Sequence, residues 1–338
     1  MRSPVLKASL WLAASLCAAA AVGDVEPAAA RFDRLSARVP APLGRQFRAL
    51  AAKALQTRHP ELAKKLAEPA ANAVPAEPRV DPASSEAGLA IVLRLSQLSR
   101  LPTDRDRARL VIEVASEIRA LPAGPGKLAL ARDLCAVANE GELGQQALTA
   151  AADTLADAIP GASPDAGTYL ELAGLIRYEH LRAPMADSAL DTALALLELR
   201  ERLHQEAGFS LTALDGREYS LPALRSQVVL LNFWATSCFS CRKEMPDLEK
   251  LYREFRGKGL VVLAVSDEAR ETVQKFLAKR NYTFPILLDC DRKVNTDFDI
   301  EGIPATFVFD REGNLVAQAI DMRTESQFRA MLKAAGLE

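Results

Sequence analysis

Val228-Val-Leu-Leu-Asn-Phe-Trp-Ala-Thr-Ser-Cys-Phe-Ser-Cys-Arg-Lys-Glu-Met-Pro246 is the stretch on which the fold of the C-terminal part turns. An apolar run of the length of Val228 to Phe233 reads as a buried strand, and a helical pattern follows it, beginning near Met245. A helix reached through Cys-x-x-Cys leaves the first sulfur beside unpaired backbone N–H groups, at the positive end of the helix dipole. A thiolate is therefore favoured at Cys238. Arg242 and Lys243 add positive charge within a turn, so the Cys238 pKa is expected below the free-thiol value of about 8.5. That stabilisation belongs to the reduced, ionised form, and it governs how fast Cys238 attacks.

The segment from Trp234 to Pro246 resembles the active site of thioredoxin-like proteins. It resembles more closely the TlpA/ResA branch of periplasmic thiol:disulfide oxidoreductases, whose common form is Trp-Ala-Thr-Trp-Cys-x-Pro-Cys-Arg-x-Glu-Met-Pro. A second family mark lies at Gly302-Ile-Pro-Ala-Thr-Phe-Val-Phe309. In thioredoxin folds a cis-proline there packs against the disulfide, and the resemblance places Pro304 at that position with Ile303 before it. The similarity covers roughly Phe209 to Glu338, including an Asp215-Gly216 hairpin signal. It implies that Cys238 and Cys241 cycle between dithiol and disulfide with no other cofactor and no metal.

Departures from the family pattern mark this chain. Ser237 stands where the family usually has Trp, and Phe239-Ser240 replaces x-Pro between the cysteines. Without proline at 240 the turn into the helix is less rigid, and the Ser240 hydroxyl can bond a backbone group or a sulfur. Asn232 occupies the strand position where cytoplasmic thioredoxins carry a buried Asp, so proton handling falls to another group. Glu244 is the candidate. It lies one helical turn beyond Cys241 and resembles the acid that ResA-like proteins keep close to the dithiol, where a carboxylate can take the Cys241 proton. The competing reading is a solvated glutamate in the first helical turns.

At the other end of the chain, Arg2 and Lys7 precede the apolar run Ala8 to Val22, and Asp24 and Glu26 follow it. The run is shorter than the roughly 20 residues that span a bilayer, and Ala21-Val22-Gly23 offers small residues for cleavage. Residues 1–23 thus read as a signal peptide, and the exported protein is expected in the periplasm or cell envelope. If uncleaved, the same run would anchor the protein to the membrane. The sequence has 338 residues, a net charge of −2 and 25% charged residues, which is enough chain for two cores but gives no electrostatic case for nucleic acid or an anionic membrane. Of its five cysteines, Cys17 falls within the signal pattern, and export would place the rest in an oxidising compartment.

Between the signal pattern and the thioredoxin-like part, taken as 207–338, the chain is rich in Ala and Leu and reads as all helix. Leu110, Val114, Ile118 and Leu121 fall on one amphipathic face, as do Leu130, Leu134 and Val137. Leu-Pro pairs at 101–102 and 121–122, Gly141, Pro160-Gly161 and Pro184 punctuate the pattern, giving seven or eight helices from Asp24 to about Glu206, with a bundle or short solenoid over 86–206. Pro69, Pro75, Pro78 and Pro82 make 68–85 an extended linker and leave 24–67 as a loosely attached helical arm. No linker marks the boundary near 204–208, so close packing of the two parts is expected. Cys135 reads as a small buried residue and Cys290 as a free loop thiol, with a bond between them the alternative. His59, His180 and His204 lie outside the thioredoxin-like region and give no support to a Cys/His pair or a metal set.

The fold class expected is an α/β thioredoxin-like domain, a mixed sheet flanked by helices, behind an all-α N-terminal domain. The leading function is disulfide exchange: Cys238 attacks a substrate disulfide, Cys241 resolves the mixed disulfide, and Glu244 and Pro304 assist, supported by Trp234, Asn232, Ser240, Arg242 and Ile303. The resemblance implies a reductase acting on disulfide-containing proteins and fed by a membrane thiol donor of the DsbD type, with roles such as cytochrome c maturation or envelope redox homeostasis. A peroxiredoxin-like antioxidant peroxidase is the rival, but its Pro-x-x-x-Thr-x-x-Cys signature fails, because Phe239 stands three residues after Thr236. The third reading is a module whose helical domain binds a protein partner.

Overall fold

The computed structural model describes residues 25–67, 85–139, 143–300, 302–320 and 322–338. The signal pattern over 1–23, all but the last residue of the 68–85 linker, and Gly141 lie outside the described residues.

The C-terminal part is thioredoxin-like. A hairpin of β1 (Ser210–Thr212) and β2 (Glu218–Ser220) precedes a mixed sheet of β3 (Val228–Phe233), β4 (Leu260–Ser266), β5 (Ile286–Leu288), β6 (Ala305–Phe309) and β7 (Leu315–Ile320). The order is β5-β4-β3-β6-β7, with β4 parallel to β3 and β6 antiparallel to it. Every residue of β3 is buried, because both faces of this central strand are covered. Val228 and Leu230 point to one core with α10 (Phe239–Phe255), α11 (Arg270–Leu277) and α13 (Glu325–Ala334). Val229, Leu231 and Phe233 point to the other, shared with Phe209, Leu221 and Phe298, the last just beyond the short α12 (Lys293–Asp297). Gly313 turns the β6–β7 hairpin at φ 84°, a conformation that glycine adopts at no steric cost.

The N-terminal part is helical and has nine α-helices among the described residues, against the seven or eight expected. They are α1 (Val25–Ser36), α2 (Ala41–Leu55), α3 (Pro60–Ala67), α4 (Glu86–Leu95), α5 (Asp104–Ala120), α6 (Pro125–Asn139), α7 (Gly144–Ala158), α8 (Ala166–Tyr178) and α9 (Ser188–Ala207). Ser85, Thr103, Asp165 and Asp187 cap helices by accepting backbone N–H groups, and α5 stops before Leu121-Pro122 as its proline requires. The loosely attached arm is corrected: α1 packs along α9, and Phe32 and Phe47 are fully buried in the same core as Leu155 and Leu196. The expectation rests on the prolines of 68–85, and a linker after a segment does not fix where the helices before it pack.

The end of α9 joins the two parts. His204 is buried, stacked on Phe298 at 5.2 Å and edge-on to Phe307, while Arg58 pairs with Asp297 at 2.6 Å. Burial, aided by Arg200 and Arg58, pushes the His204 pKa down to about 3. Its folded pKa lies below the unfolded value of about 6.5, so the neutral ring stabilises the fold above that pH, and the contribution is lost as pH falls toward 3. At pH 5 the loss amounts to about 2 kcal/mol relative to pH 8. His204→Phe, which suits an aromatic pocket, is expected to remove that acid sensitivity. Urea midpoints measured at pH 5 and pH 8 check this, and equal pH slopes for the two proteins would contradict it.

Candidate active site

The sulfur pair sits where β3 ends. Trp234 continues the ladder by donating its N–H to the Val265 carbonyl at 3.0 Å, and α10 starts at Phe239 with Cys238 as its N-cap residue. The helix thus begins six residues earlier than Met245 and runs through Pro246. Cys238 and Cys241 form a disulfide. Cys238 Sγ accepts the Cys241 N–H at 3.1 Å, while Cys241 itself is fully buried and Cys238 is partly exposed. On reduction, the exposed sulfur is the one that meets solvent and an N–H donor together, the two conditions for a reactive thiolate. Arg242 and Lys243 are exposed and stand over the Phe239 ring, at 5.9 and 4.7 Å from its centroid, on the solvent side of the pair.

The Ile303–Pro304 peptide bond is cis. β6 begins at the next residue, and Ala305 pairs with Phe233, so the bend faces the end of β3 and brings the Ile303 carbonyl oxygen to 3.8 Å from Cys238 Sγ. Ile303 is 40% exposed and Phe239 62%, which leaves two apolar side chains open to solvent at the reactive sulfur. Ser240 is half-buried in the first turn of α10. Trp234 is buried and packs against Phe276 at 5.3 Å.

Glu244 lies on the same face of α10 as Cys241 and is 1% exposed, which rules out the solvated-surface reading. One carboxylate oxygen accepts from Asn232 Nδ2 at 2.8 Å and the other from the Arg323 N–H at 3.1 Å. Asn232 also donates to Thr306 Oγ1 at 3.0 Å, while its own Oδ1 is buried with no hydrogen-bond partner among the described residues. Burial pushes the Glu244 carboxyl up to about 7, against the opposing pull of the Arg323 N–H and the Asn232 amide; Asp247 on the same helix raises it further. A carboxyl so placed can hold or release a proton at neutral pH.

Two participants were not visible from the sequence. Glu268, in the loop after β4, accepts from the Thr236 N–H at 2.6 Å and the Thr236 hydroxyl at 2.7 Å, and so fixes the loop that presents Cys238. Arg323, ahead of α13, supplies the N–H on Glu244. No spacing or motif links either residue to the cysteines; only the tertiary fold does. Cys135 and Cys290 are free. Cys135 is buried, with its thiol donating to the Ala151 carbonyl, and burial raises its pKa, whereas Cys290 is exposed with Sγ 3.5 Å from the Glu268 carbonyl oxygen. Among the described residues there is no cluster of His, Cys, Asp and Glu suited to a metal, and no helix long and apolar enough to cross a membrane.

The AhpC/TSA family model matches residues 204–318. The thiol-disulfide oxidoreductase ResA of Bacillus thuringiensis (strain Al Hakam) is 33% identical over 126 residues, which are 37% of this chain and 73% of that protein. The thioredoxin-like protein YneN of Bacillus subtilis (strain 168) is 40% identical over 113 residues, 32% of this chain and 65% of that protein. Among solved structures, a thiol:disulfide interchange protein of the thioredoxin family from Chlorobium tepidum TLS is 27% identical, covers 38% of this chain and 92% of its own, and superposes with a TM-score of 0.34. A sulfur pair at the end of the central strand, carried on a segment that shares a third of its residues with most of a ResA, places this chain in the ResA family of thiol-disulfide oxidoreductases.

Proposed function

We propose that the chain is an exported reductase of protein disulfides that works through Cys238 and Cys241. The observation that carries this reading is the pairing of a solvent-facing sulfur with a fully buried one across the first turn of α10, with a buried acid on the same helical face. The Cys238 thiolate attacks one sulfur of a substrate disulfide, forming a mixed disulfide and releasing the other substrate sulfur as a thiolate. Glu244 takes the Cys241 proton, and Cys241 then attacks Cys238 Sγ, closing the protein's own disulfide and freeing the second substrate thiol. Two electrons pass from the dithiol to the substrate. Phe239 and Ile303 contact the substrate chain, cis-Pro304 lines the approach, and Asn232, Trp234, Ser240 and Arg242 support the loop and the acid.

Export rests on the N-terminal sequence pattern. In an oxidising compartment the disulfide must be reduced again, which calls for a membrane thiol donor of the DsbD type. Cytochrome c maturation or envelope redox homeostasis would supply the substrates, and the helical domain would recruit a partner. A thiol peroxidase is the second reading, because the AhpC/TSA model matches this region. The Thr236 hydroxyl is engaged by Glu268 rather than pointed at a sulfur, which favours exchange.

The test is redox cycling of the purified chain. The dithiol is expected to equilibrate in a glutathione-range buffer, to reduce a protein disulfide with dithiothreitol as donor, and to turn over peroxide at least about tenfold more slowly. Comparable peroxide turnover would reverse the order of the two readings. Failure of the pair to cycle would remove both.

A further inference from the structure

Among the described residues Phe239 is the most exposed of the large apolar side chains, and it follows the reactive sulfur directly in the chain. Ile303, also exposed, brings its carbonyl oxygen to 3.8 Å from the same sulfur. Single exposed apolar residues need no explanation, but two beside one reactive atom form a surface that a docked chain can cover. The same rim carries charge of one sign. Arg242 and Lys243 are exposed, and both lie over the Phe239 ring, at 5.9 and 4.7 Å from its centroid. Of the acids that join the site, Glu244 is buried and Glu268 is engaged by Thr236. We propose that the protein disulfides reduced here are presented on acidic segments, with a carboxylate side chain near the reactive cysteine that meets Lys243 and Arg242 and an apolar one that covers Phe239 and Ile303.

Both cations lie within a helical turn or so of Cys238, so their fields add where a substrate sulfur approaches. The whole chain has a net charge of −2 and offers an acidic partner no long-range attraction, which leaves selection to this local pair. Its reach is about one Debye length, roughly 8–10 Å at moderate salt, enough for residues adjoining the cysteine and little beyond. The assignment rests on the reductase reading and leaves its redox step unchanged. A bond forms between Cys238 Sγ and one substrate sulfur, the substrate S–S bond breaks, and the other sulfur leaves with the electron pair as a thiolate. Charge and apolar contact decide which disulfides arrive and how long they stay.

The test uses the pre-reduced full-length chain and synthetic peptides that share one intramolecular disulfide, with either aspartates or lysines flanking the cysteines. Each second-order rate is divided by that of dithiothreitol on the same peptide, which removes the peptide's own reactivity. Because both peptides meet the same sulfur, their ratio is also independent of how far either cation lowers the Cys238 pKa. The wild type is expected to prefer the aspartate peptide by about tenfold at low ionic strength and by about twofold in roughly 0.5 M salt. Lys243→Glu, which sets an acid against Arg242, should bring the ratio near one, and Lys243→Arg should keep it. Replacing a flanking leucine by serine should slow the wild type about fivefold and Phe239→Ala less than about twofold. Equal rates for the two peptides, or a preference that Lys243→Glu leaves intact, would overturn the acidic assignment while the reductase reading stands. A leucine effect of the same size in Phe239→Ala would overturn the apolar half. A reduced chain that acts on neither peptide removes the reductase reading itself, and this assignment with it.

Discussion

Cys238→Ser is expected to lower protein-disulfide reduction at pH 7 by about a thousandfold or more while leaving the fold intact. Cys241 is fully buried behind the first turn of α10, so an incoming disulfide reaches Cys238 first. The thiolate that forms there accepts the Cys241 N–H, at 3.1 Å in the oxidised structure, and faces the N-terminal end of the helix. A serine hydroxyl can accept the same N–H and so keep the cap, but at neutral pH it is not ionised and cannot attack sulfur. The variant thus separates chemistry from structure. Cys241→Ser is the complementary case: attack proceeds, resolution fails, and substrate accumulates as a mixed disulfide on Cys238. Turnover with dithiothreitol as donor measures the first variant, and non-reducing mass analysis measures the second. Retention of a tenth of wild-type turnover by Cys238→Ser would place the nucleophile elsewhere.

What the sequence shows of this site is its local part. The buried β3 and the Cys-x-x-Cys that follows were legible because an apolar run and a sulfur spacing are properties of neighbouring residues. The cis bond at Pro304 was expected from resemblance to a family, as was a role for Glu244 beside the dithiol; the structure shows the buried carboxyl on the Cys241 face of α10, bonded to Asn232 and the Arg323 N–H. The start of α10 was misplaced for a physical reason. Pro246 lacks an N–H and reads as a helix beginning, yet Cys241, Met245, Leu248 and Leu251 bury a common face that carries the helix through it. Tertiary packing outweighs the local penalty. Glu268 and Arg323 were out of reach because they act across 32 and 79 residues of chain, and nothing in their own neighbourhoods distinguishes them from surface charges. The attachment of α1 was missed on similar grounds, since the prolines of 68–85 are a local signal whereas the contact of α1 with α9 joins helices far apart in the chain.

Glu244→Gln is expected to slow exchange at pH 7 by about a hundredfold and to erase the inflection near neutrality. The carboxyl is 1% exposed and pushed up to about 7, mainly by burial, so near neutral pH both protonation states are populated. In the proposed mechanism that balance is what the acid needs to accept the Cys241 proton in one half-cycle and return it in the other. Glutamine fills the same space and can still accept the Arg323 N–H, but it carries no proton that titrates. The same group has a signature in stability. Its folded pKa lies above the unfolded value of 4.5, so its contribution is fully present below pH 4.5 and is lost as pH rises through about 7. Wild type should therefore lose on the order of 3 kcal/mol relative to the glutamine variant between pH 4 and pH 9, a difference in which the opposite slope from His204 cancels. The two readouts answer separate questions. A stability difference with normal kinetics would mean that the buried acid is a structural cost with no part in proton transfer, whereas the expected pair of effects means that the fold tolerates a proton held near neutrality because the resolving sulfur uses it.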